Sequence, residues 1–410
     1  MSRRILFLVP LLPYPPHQGG ALRNYGLIRG LAGRGHRITL MTFRTPDLPE
    51  PEDTPLGGLC ERVVTFAAPE RSHLDRLSDL LAGHADLARR FWLPTFQDTL
   101  VKLLEQEAFD AIHIGIEMAG YLPAIKRYAA GCAVVYDALN AEYDLQKRIA
   151  LQDLKTLRRL PLAAYSLIQT RRLRRYEGGL CTSADHIFAC SSPDADKLGA
   201  LSEGTPITVI PNAIDVSQYE REQIVPARLA HPALVFTGKM DYRPNVDAVL
   251  WFVEKVLPRV QAMIPGVHFV VVGQRPHPRL DNLRSRPDIT VTGFVPDIKP
   301  YITGADVYVA PLRMGSGTRF KLLESLMLGS AVVSTRIGAE GLSVEHGTHL
   351  LLADGADDFA AATIRLLRDE TLRRELGKNG QQFVRNHYDW SAIVPAAEAG
   401  YEAAIAQRDQ

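Results

Sequence analysis

The chain has 410 residues, enough for two or three domains, and its composition is that of a globular protein, with 46% hydrophobic and 23% charged residues. Lysine and arginine total 47 against 46 acidic residues, so no overall charge attracts nucleic acid. The four cysteines are far apart and no segment approaches the roughly 20 apolar residues of a spanning helix, which disfavours zinc cages, disulfide frameworks and integral membrane proteins. The separated cysteines fit a reducing cytoplasm, so a cytoplasmic protein is expected. The N-terminal apolar run is broken by Pro10 and Pro13, which favours a buried strand over a secretion signal.

Short apolar runs alternate with longer helical patterns along the chain, in two successive series. The first series predicts strands at Ile5–Val9, Ile38–Phe43, Ala111–Ile116, Ala133–Tyr136 and His186–Cys190, with a helix at Leu22–Arg34. The second predicts strands at Ile207–Ile210, Leu234–Thr237, His268–Val272, Ile289–Thr292, Val307–Ala310 and Ala331–Ser334, and helices at Ala248–Ile264 and Phe320–Leu328. Strand and helix in alternation predict an α/β fold with two doubly wound, Rossmann-like domains.

Ligands of open parallel sheets bind where strands end and helices begin, and glycines mark several such turns. They follow the first strand at Gly19 and Gly20, follow Thr237 at Gly238, and precede the Phe320 helix at Gly317. A helix that begins near Gly317 would align Lys321 and Glu324 with it on one face. Because Glu324 lies in an apolar run, it needs a partner, either Lys321 within the helix or a hydroxyl group of a ligand, and the second is the sharper explanation.

Several short segments then occur in the order found in one enzyme family. They are the Gly19-Gly20 turn with the helix end at 31–36, and the segments 209–215, 236–239, 271–273, 292–295, 305–311 and 321–324. With these motifs the chain resembles the retaining glycosyltransferases of family 4 (group 1), which have the GT-B fold, over nearly its whole length.

The resemblance implies two domains that face a central cleft. Residues 1–206 would bind the acceptor, residues 207–387 would bind a nucleotide sugar, and a terminal helix at 388–410 would cross back onto the first domain. The implied donor is a nucleotide sugar of UDP or GDP type, and the acceptor is a glycan, a lipid-linked molecule or a small molecule. No cofactor and no metal ion are expected, and the leaving phosphate would take the acceptor proton while basic residues stabilise its charge.

The resemblance also implies roles for individual residues. Lys239 would neutralise the pyrophosphate and Glu324 would hold the ribose, with Lys321 as the third catalytic residue. The expected donor contacts are Gly19, Gly20, Gly238, Arg275, Val295, Ser316, Gly317, Thr318 and Arg319, and the expected acceptor contacts are Glu117 and Asn140. Arg275 and Glu117 are expected from their positions after strand ends, and an exposed loop acid is the other interpretation of Glu117. No metal ligands are expected.

Three positions depart from the family pattern. Ser316 stands where a first glutamate is common, Pro244 where a second basic residue is usual, and Leu139 where a histidine is frequent. Because Pro244 carries no charge, we predict that Lys321 joins Lys239 at the diphosphate. These departures leave open an alternative function, a nucleotide-sugar-binding regulatory or scaffold protein with little or no activity.

A helical stretch at 147–176 carries nine basic residues against Asp153 alone. Pro161 divides the stretch and predicts two helices rather than one. Its bulky apolar residues allow two interpretations, a solvated helical face or a peripheral contact with the inner face of a membrane.

Overall fold

A computed structural model describes residues 2–16, 19–72, 75, 78–79, 82–154, 160–314 and 319–408. The chain divides into two compact units: unit 1 comprises Met1–Asn212 with Trp390–Gln410, and unit 2 comprises Ala213–Asp389. The predicted boundaries, 206/207 and 387/388, lie a few residues from these divisions.

Unit 1 is built on a seven-stranded parallel sheet with the order β3-β2-β1-β4-β5-β6-β7. Its strands are β1 Arg4–Val9, β2 Arg37–Arg44, β3 Arg62–Ala67, β4 Ala111–Ile114, β5 Ala133–Ala138, β6 His186–Ala189 and β7 Ile207–Val209. The central strands are buried on both faces, which explains their continuous apolar runs. Strand β3 was not predicted from the sequence, because it is an edge strand whose inner residues are only partly buried.

Helices cover this sheet. They are α1 Gly19–Gly33, α2 Leu56–Leu59, α3 Asp86–Arg90, α4 Pro94–Gln106, α5 Leu122–Tyr128, α6 Glu142–Asp153, α7 Leu160–Ser183 and α8 Ser192–Gly199, with a 3₁₀ segment at Ile116–Tyr121. Pro161 lies in the first turn of α7, where its missing N–H leaves no hydrogen bond unmade. The prediction of two helices around Pro161 is confirmed.

Unit 2 is built on a six-stranded parallel sheet with the order β10-β9-β8-β11-β12-β13. Its strands are β8 Ala233–Thr237, β9 His268–Val272, β10 Ile289–Val291, β11 Val307–Ala310, β12 Val332–Ser334 and β13 Leu351–Leu352. Its helices are α9 Arg243–Trp251, α10 Leu257–Met263, α11 Lys299–Gly304, α12 Phe320–Met327, α13 Ala356–Arg368 and α14 Glu370–His387. Apolar clusters lie on both faces of the sheet.

The helix predicted at 248–264 is wrong in detail. A π-helical segment at Phe252–Val256 separates α9 from α10, and Leu257 donates its N–H to the Phe252 carbonyl five residues earlier. Pro258 has no N–H to continue the normal ladder, so a shift of register at this point leaves fewer groups unpaired.

The C-terminal helix, α15 Trp390–Arg408, completes unit 1. It packs so closely on α1 that a Cβ added at Gly26 would lie 1.9 Å from the Trp390 ring, and one at Gly30 would lie 2.2 Å from Val394. Glycine on α1 is therefore required by the helix contact.

Candidate active site

In unit 2, the chain segments that follow β8 and β9 touch at the carboxyl edge of the sheet. A Cβ added at Gly273 would lie 1.7 Å from the Gly238 carbonyl oxygen. Gly238 itself has a φ of +155°, and a Cβ there would lie 2.6 Å from the Asn245 amide nitrogen. Glycine at both positions brings bare backbone to this edge, which is the usual ligand edge of such sheets.

Helix α12 places Lys321 at the end of β8. Its ammonium donates to the Thr237 carbonyl at 2.8 Å and to Asn245 Oδ1 at 2.7 Å, and it lies 4.2 Å from the centre of the Phe236 ring. Burial, together with the nearby positive charge of Arg319, lowers the pKa of Lys321 to about 7, although the charge of Glu324 opposes the fall. Lys321 therefore loses its proton near neutral pH, and a bound anion next to it would favour the protonated, charged form.

Glu324 lies one turn beyond Lys321 and has a partner that the sequence did not reveal. Its Oε1 accepts a hydrogen bond of 2.9 Å from the hydroxyl of Tyr219, which ends the short 3₁₀ helix Val216–Tyr219. Burial raises the pKa of Glu324, whereas the Tyr219 hydrogen bond and the charge of Lys321 oppose the rise. Within the described ranges Glu324 and Lys321 form no ion pair, so the intrahelical explanation of Glu324 does not hold.

Two further predicted donor contacts lie at the same edge of the sheet. Lys239 directly follows Gly238 and is exposed, and its carbonyl accepts from the Asn245 amide at 2.8 Å. Arg275 follows the end of β9 with a φ of 54°, and its side chain is 76% exposed, 3.8 Å from Asp241. Both cations are therefore accessible from solvent.

The other predicted donor contacts of unit 2 are more varied. Val295 is partly buried against the apolar cluster under the sheet. Arg319 is 8% exposed, and its Nη2 donates to the Ile337 carbonyl at 3.3 Å. Ser316, Gly317 and Thr318 lie outside the described residues, and so does the predicted helix start at Gly317.

In unit 1, a cavity of about 470 Å³ lies at the carboxyl ends of β1, β4 and β5. Gly20 and Leu139 line it, and a Cβ added at Gly20 would lie 3.4 Å from Leu139 Cδ1. Gly19 and Gly20 were expected in a turn before the helix, but they are the first two residues of α1. The first turn of α1 therefore faces this cavity at Gly20.

Two carboxyl groups line the same cavity, those of Glu117 and Glu142. Burial raises the pKa of Glu117. Burial and the charge of Glu117 together raise the pKa of Glu142 to about 7, against the opposing effect of a 3.1 Å hydrogen bond from Asn140 Nδ2. Asn140 thus reaches the site through Glu142, a residue that the sequence analysis missed.

A buried ion pair supports the floor of this cavity. Arg23 is fully buried, and its Nε donates to both carboxylate oxygens of Asp137, at 2.9 and 2.8 Å. His113 lies 3.4 Å from the same carboxylate and makes a hydrogen bond of 2.6 Å with Tyr401 of α15. Although burial by itself would raise the pKa of Asp137, Arg23 and His113 hold it well below its usual range. Asp137 is therefore ionised and fixed in position.

Models of two known families match most of the chain. The model described as "Glycosyltransferase Family 4" matches residues 18–218, and the model described as "Glycosyl transferases group 1" matches residues 231–369. The chain belongs to the family 4, group 1 glycosyltransferases. This assignment confirms the resemblance that its motifs predicted.

Two curated relatives of this glycosyltransferase align with different shares of the chain. The "Uncharacterized 44.6 kDa protein in cps region" of Klebsiella pneumoniae is 23% identical over 92% of this chain and 94% of its own length. The phosphatidyl-myo-inositol mannosyltransferase of Mycolicibacterium smegmatis is 29% identical over 48% of this chain and 52% of its own length. The chain thus aligns with about half of the mannosyltransferase.

Solved structures confirm the predicted GT-B fold of this glycosyltransferase. Sucrose-phosphate synthase from Thermosynechococcus elongatus has a TM-score of 0.73 at 17% identity, with 99% of this chain and all of that one covered. Anabaena Alr3699/HepE in complex with UDP and glucose has a TM-score of 0.64 at 15% identity, with 98% and 100% covered. At these identities the likeness shows the fold alone.

Two features are absent from the described residues, a membrane-spanning helix and a cluster of metal ligands. Among the helices in those ranges, none combines the length and the apolar character that crossing a membrane requires. The same part of the chain brings together no group of three His, Cys, Asp or Glu side chains suited to a metal ion.

Proposed function

We propose that this glycosyltransferase transfers a sugar from a UDP- or GDP-type nucleotide sugar, with retention of the anomeric configuration and without a metal ion or cofactor. The observation that carries the proposal is the pair of side chains on α12, Lys321 beside the end of β8 and Glu324 beside Tyr219. A cation and a carboxyl group, one turn apart, suit the diphosphate and the ribose hydroxyls of such a donor. The UDP bound in the Anabaena structure is consistent with this donor class.

In the proposed reaction, Lys239 and Lys321 stabilise the charge that develops on the leaving diphosphate. Lys321 takes the place of the basic residue that Pro244 cannot supply, and the exposed Arg275 contacts a phosphate or the base. The leaving phosphate accepts the proton of the acceptor hydroxyl, so no protein nucleophile is required. The other described donor contacts of unit 2 are proposed at Gly238, Val295 and Arg319.

The acceptor is proposed to bind unit 1 at the cavity that Glu117 and Glu142 line. Carboxyl groups with raised pKa values both donate to and accept from hydroxyls, which suits a polyhydroxyl acceptor such as a glycan, a lipid-linked sugar or a small polyol. The phosphatidyl-myo-inositol mannosyltransferases among the relatives are consistent with a lipid-linked acceptor.

A peripheral contact with the inner face of a membrane is proposed for residues 147–176. The described part of this stretch and its immediate surroundings expose an unusual number of large apolar side chains: Ile149, Leu151, Leu154, Leu160, Leu162, Leu167 and Ile168. Such residues next to arginines favour an anionic bilayer over a merely solvated face. The family assignment gives no support to the alternative of an inactive scaffold protein.

A thermal-shift screen with UDP, GDP, ADP and their sugar conjugates tests the donor proposal. A ligand present at 100 times its Kd adds about 2.7 kcal/mol of stability. We expect UDP or GDP and its sugar conjugate to stabilise the protein, and Lys321→Ala to weaken binding about 10- to 100-fold. Lys255→Ala, an exposed lysine of unit 2, is the matched control and leaves binding unchanged. If no nucleotide sugar stabilises the protein, the proposal is wrong.

A further inference from the structure

A second and larger concave surface lies on unit 1, with a volume of about 1210 Å³. It is formed by α7, α5 and the segment around 83–88, and it shares no lining residue with the smaller cavity at Glu117 and Glu142. We call it the α7 groove. Its volume exceeds the 300–1,000 Å³ that is typical of small-molecule sites.

The floor of the α7 groove is apolar. Leu122 and Leu180 are buried in it, whereas Leu167 and Ile168 also line it but keep 42% and 47% of their surfaces exposed. Large aliphatic side chains that remain exposed on a concave surface favour a ligand that covers them, since burial of apolar area is the main source of affinity. The floor therefore suits a hydrocarbon chain.

The rim of the α7 groove is cationic. Arg171 and Arg175 are exposed one turn apart on α7, Lys126 projects from α5, and Arg172 donates to the His84 carbonyl at 3.2 Å. Among the described residues that line the groove, none is acidic. Like charges at this helical spacing repel one another, and a bound anion removes that repulsion.

We infer that the α7 groove binds a single-chain anionic amphiphile, with the hydrocarbon chain on Leu167 and Ile168 and a phosphate head at Arg171 and Arg175. Leu167 and Ile168 lie inside this concavity, which suits a single chain, whereas the other exposed apolar residues of 147–176 do not line it and belong to the proposed membrane contact: Ile149, Leu151, Leu154, Leu160 and Leu162. A phosphate monoester of an isoprenoid alcohol has this chemistry.

The α7 groove also adjoins the proposed acceptor site. Glu117 lines the smaller cavity, and Ala119, two residues further along the same 3₁₀ segment, lines the groove. The two concave surfaces therefore adjoin at this segment of unit 1. Binding of the amphiphile does not depend on the proposed function. That the amphiphile is the carrier of a lipid-linked acceptor rests on the proposed function.

Calorimetric titration with farnesyl phosphate, kept below its critical micelle concentration, tests the inference. We expect binding that inorganic phosphate and farnesol do not reproduce. The double variant Arg171→Ser/Arg175→Ser should bind about tenfold more weakly at low salt, and the difference should shrink as salt is added. Leu167→Ser/Ile168→Ser should weaken binding by a similar factor at every salt concentration.

Matched controls use the same helices outside the groove. Arg127→Ser/Arg174→Ser removes the same number of charges, and Leu162→Ser removes an exposed leucine of α7; both should bind farnesyl phosphate like the original protein. Equal weakening in the groove and control variants, or equal binding of inorganic phosphate, would overturn the inference. UDP and GDP binding, measured on the same samples, should be unaffected, so loss of the donor proposal and loss of this inference are separate results.

Discussion

The lowered pKa of Lys321 predicts how nucleotide-sugar binding depends on pH. Because the pKa of Lys321 is lowered to about 7, the free protein is about half protonated there at pH 7 and only about 3% protonated at pH 8.5. A diphosphate next to Lys321 favours the charged form, so binding at pH 8.5 must take up nearly one proton. The affinity for a nucleotide sugar should therefore fall about 15-fold from pH 7 to pH 8.5, and change little below pH 6.

The measurement is calorimetric titration with UDP-glucose and GDP-mannose, at pH 6.0, 7.0 and 8.5, in two buffers of different ionisation enthalpy. The phosphates of these donors are diesters with fixed charge, so any proton taken up belongs to the protein. Lys321→Arg is the matched control, because a guanidinium remains charged throughout this range and should abolish the pH dependence. Equal affinity of the original protein at pH 7.0 and 8.5, or the same slope in Lys321→Arg, would refute the reasoning.

Three further predictions concern residues that the structure brings together. Glu324→Gln and Tyr219→Phe should each weaken UDP or GDP binding several-fold in a folded protein. Because the Tyr219 hydroxyl acts through the Glu324 carboxyl group, the double variant should bind no more weakly than Glu324→Gln, and additive losses would contradict this. Arg23→Met should lower the free energy of urea unfolding by about 3–5 kcal/mol by leaving Asp137 buried without its partner, and Asp137→Leu in the same protein should restore most of it; a loss below 1 kcal/mol would count against the pair. Glu142→Gln should raise the Tm at pH 8 and leave it unchanged near pH 4. The folded-state pKa of Glu142 is about 7, so its ionisation lowers stability as the pH rises from about 4.5 to 7, and the glutamine removes this loss. A Tm difference of equal size at both pH values would exclude ionisation as the cause.

The strands were predicted to within one or two residues where both faces are buried. Such strands, for example β1 and β9, are continuous apolar runs with turn-forming residues on both sides. The edge strand β3 has only partly buried inner residues, and β13 has two residues, so neither carries a comparable signal. Burial on both faces therefore explains most of the predicted strands, whereas the edge strands β7 and β10, which are only partly buried, were predicted to within one residue from their β-branched residues.

The candidate site was predictable only where its residues belong to local motifs. Lys321 and Glu324 lie on one helix, and their spacing was informative. Their actual partners, Asn245 and Tyr219, lie 76 and 105 residues away along the chain. No periodicity connects positions so distant, since their contact depends on how the strands are ordered in the sheet. The same reason explains why the side chain of Glu142 went unnoticed beside Glu117.

The chain order has a consequence for exchanging parts of this enzyme. Unit 2 is an insertion within unit 1, because α15 returns to pack on Gly26 and Gly30 of α1. The chain enters and leaves unit 2 at paired positions, where Ile214 donates its N–H to the Tyr388 carbonyl at 2.9 Å. The corresponding unit of a relative can therefore be grafted through two adjacent junctions, whereas a fragment ending at Asn212 would leave α1 without the helix that its glycines accommodate.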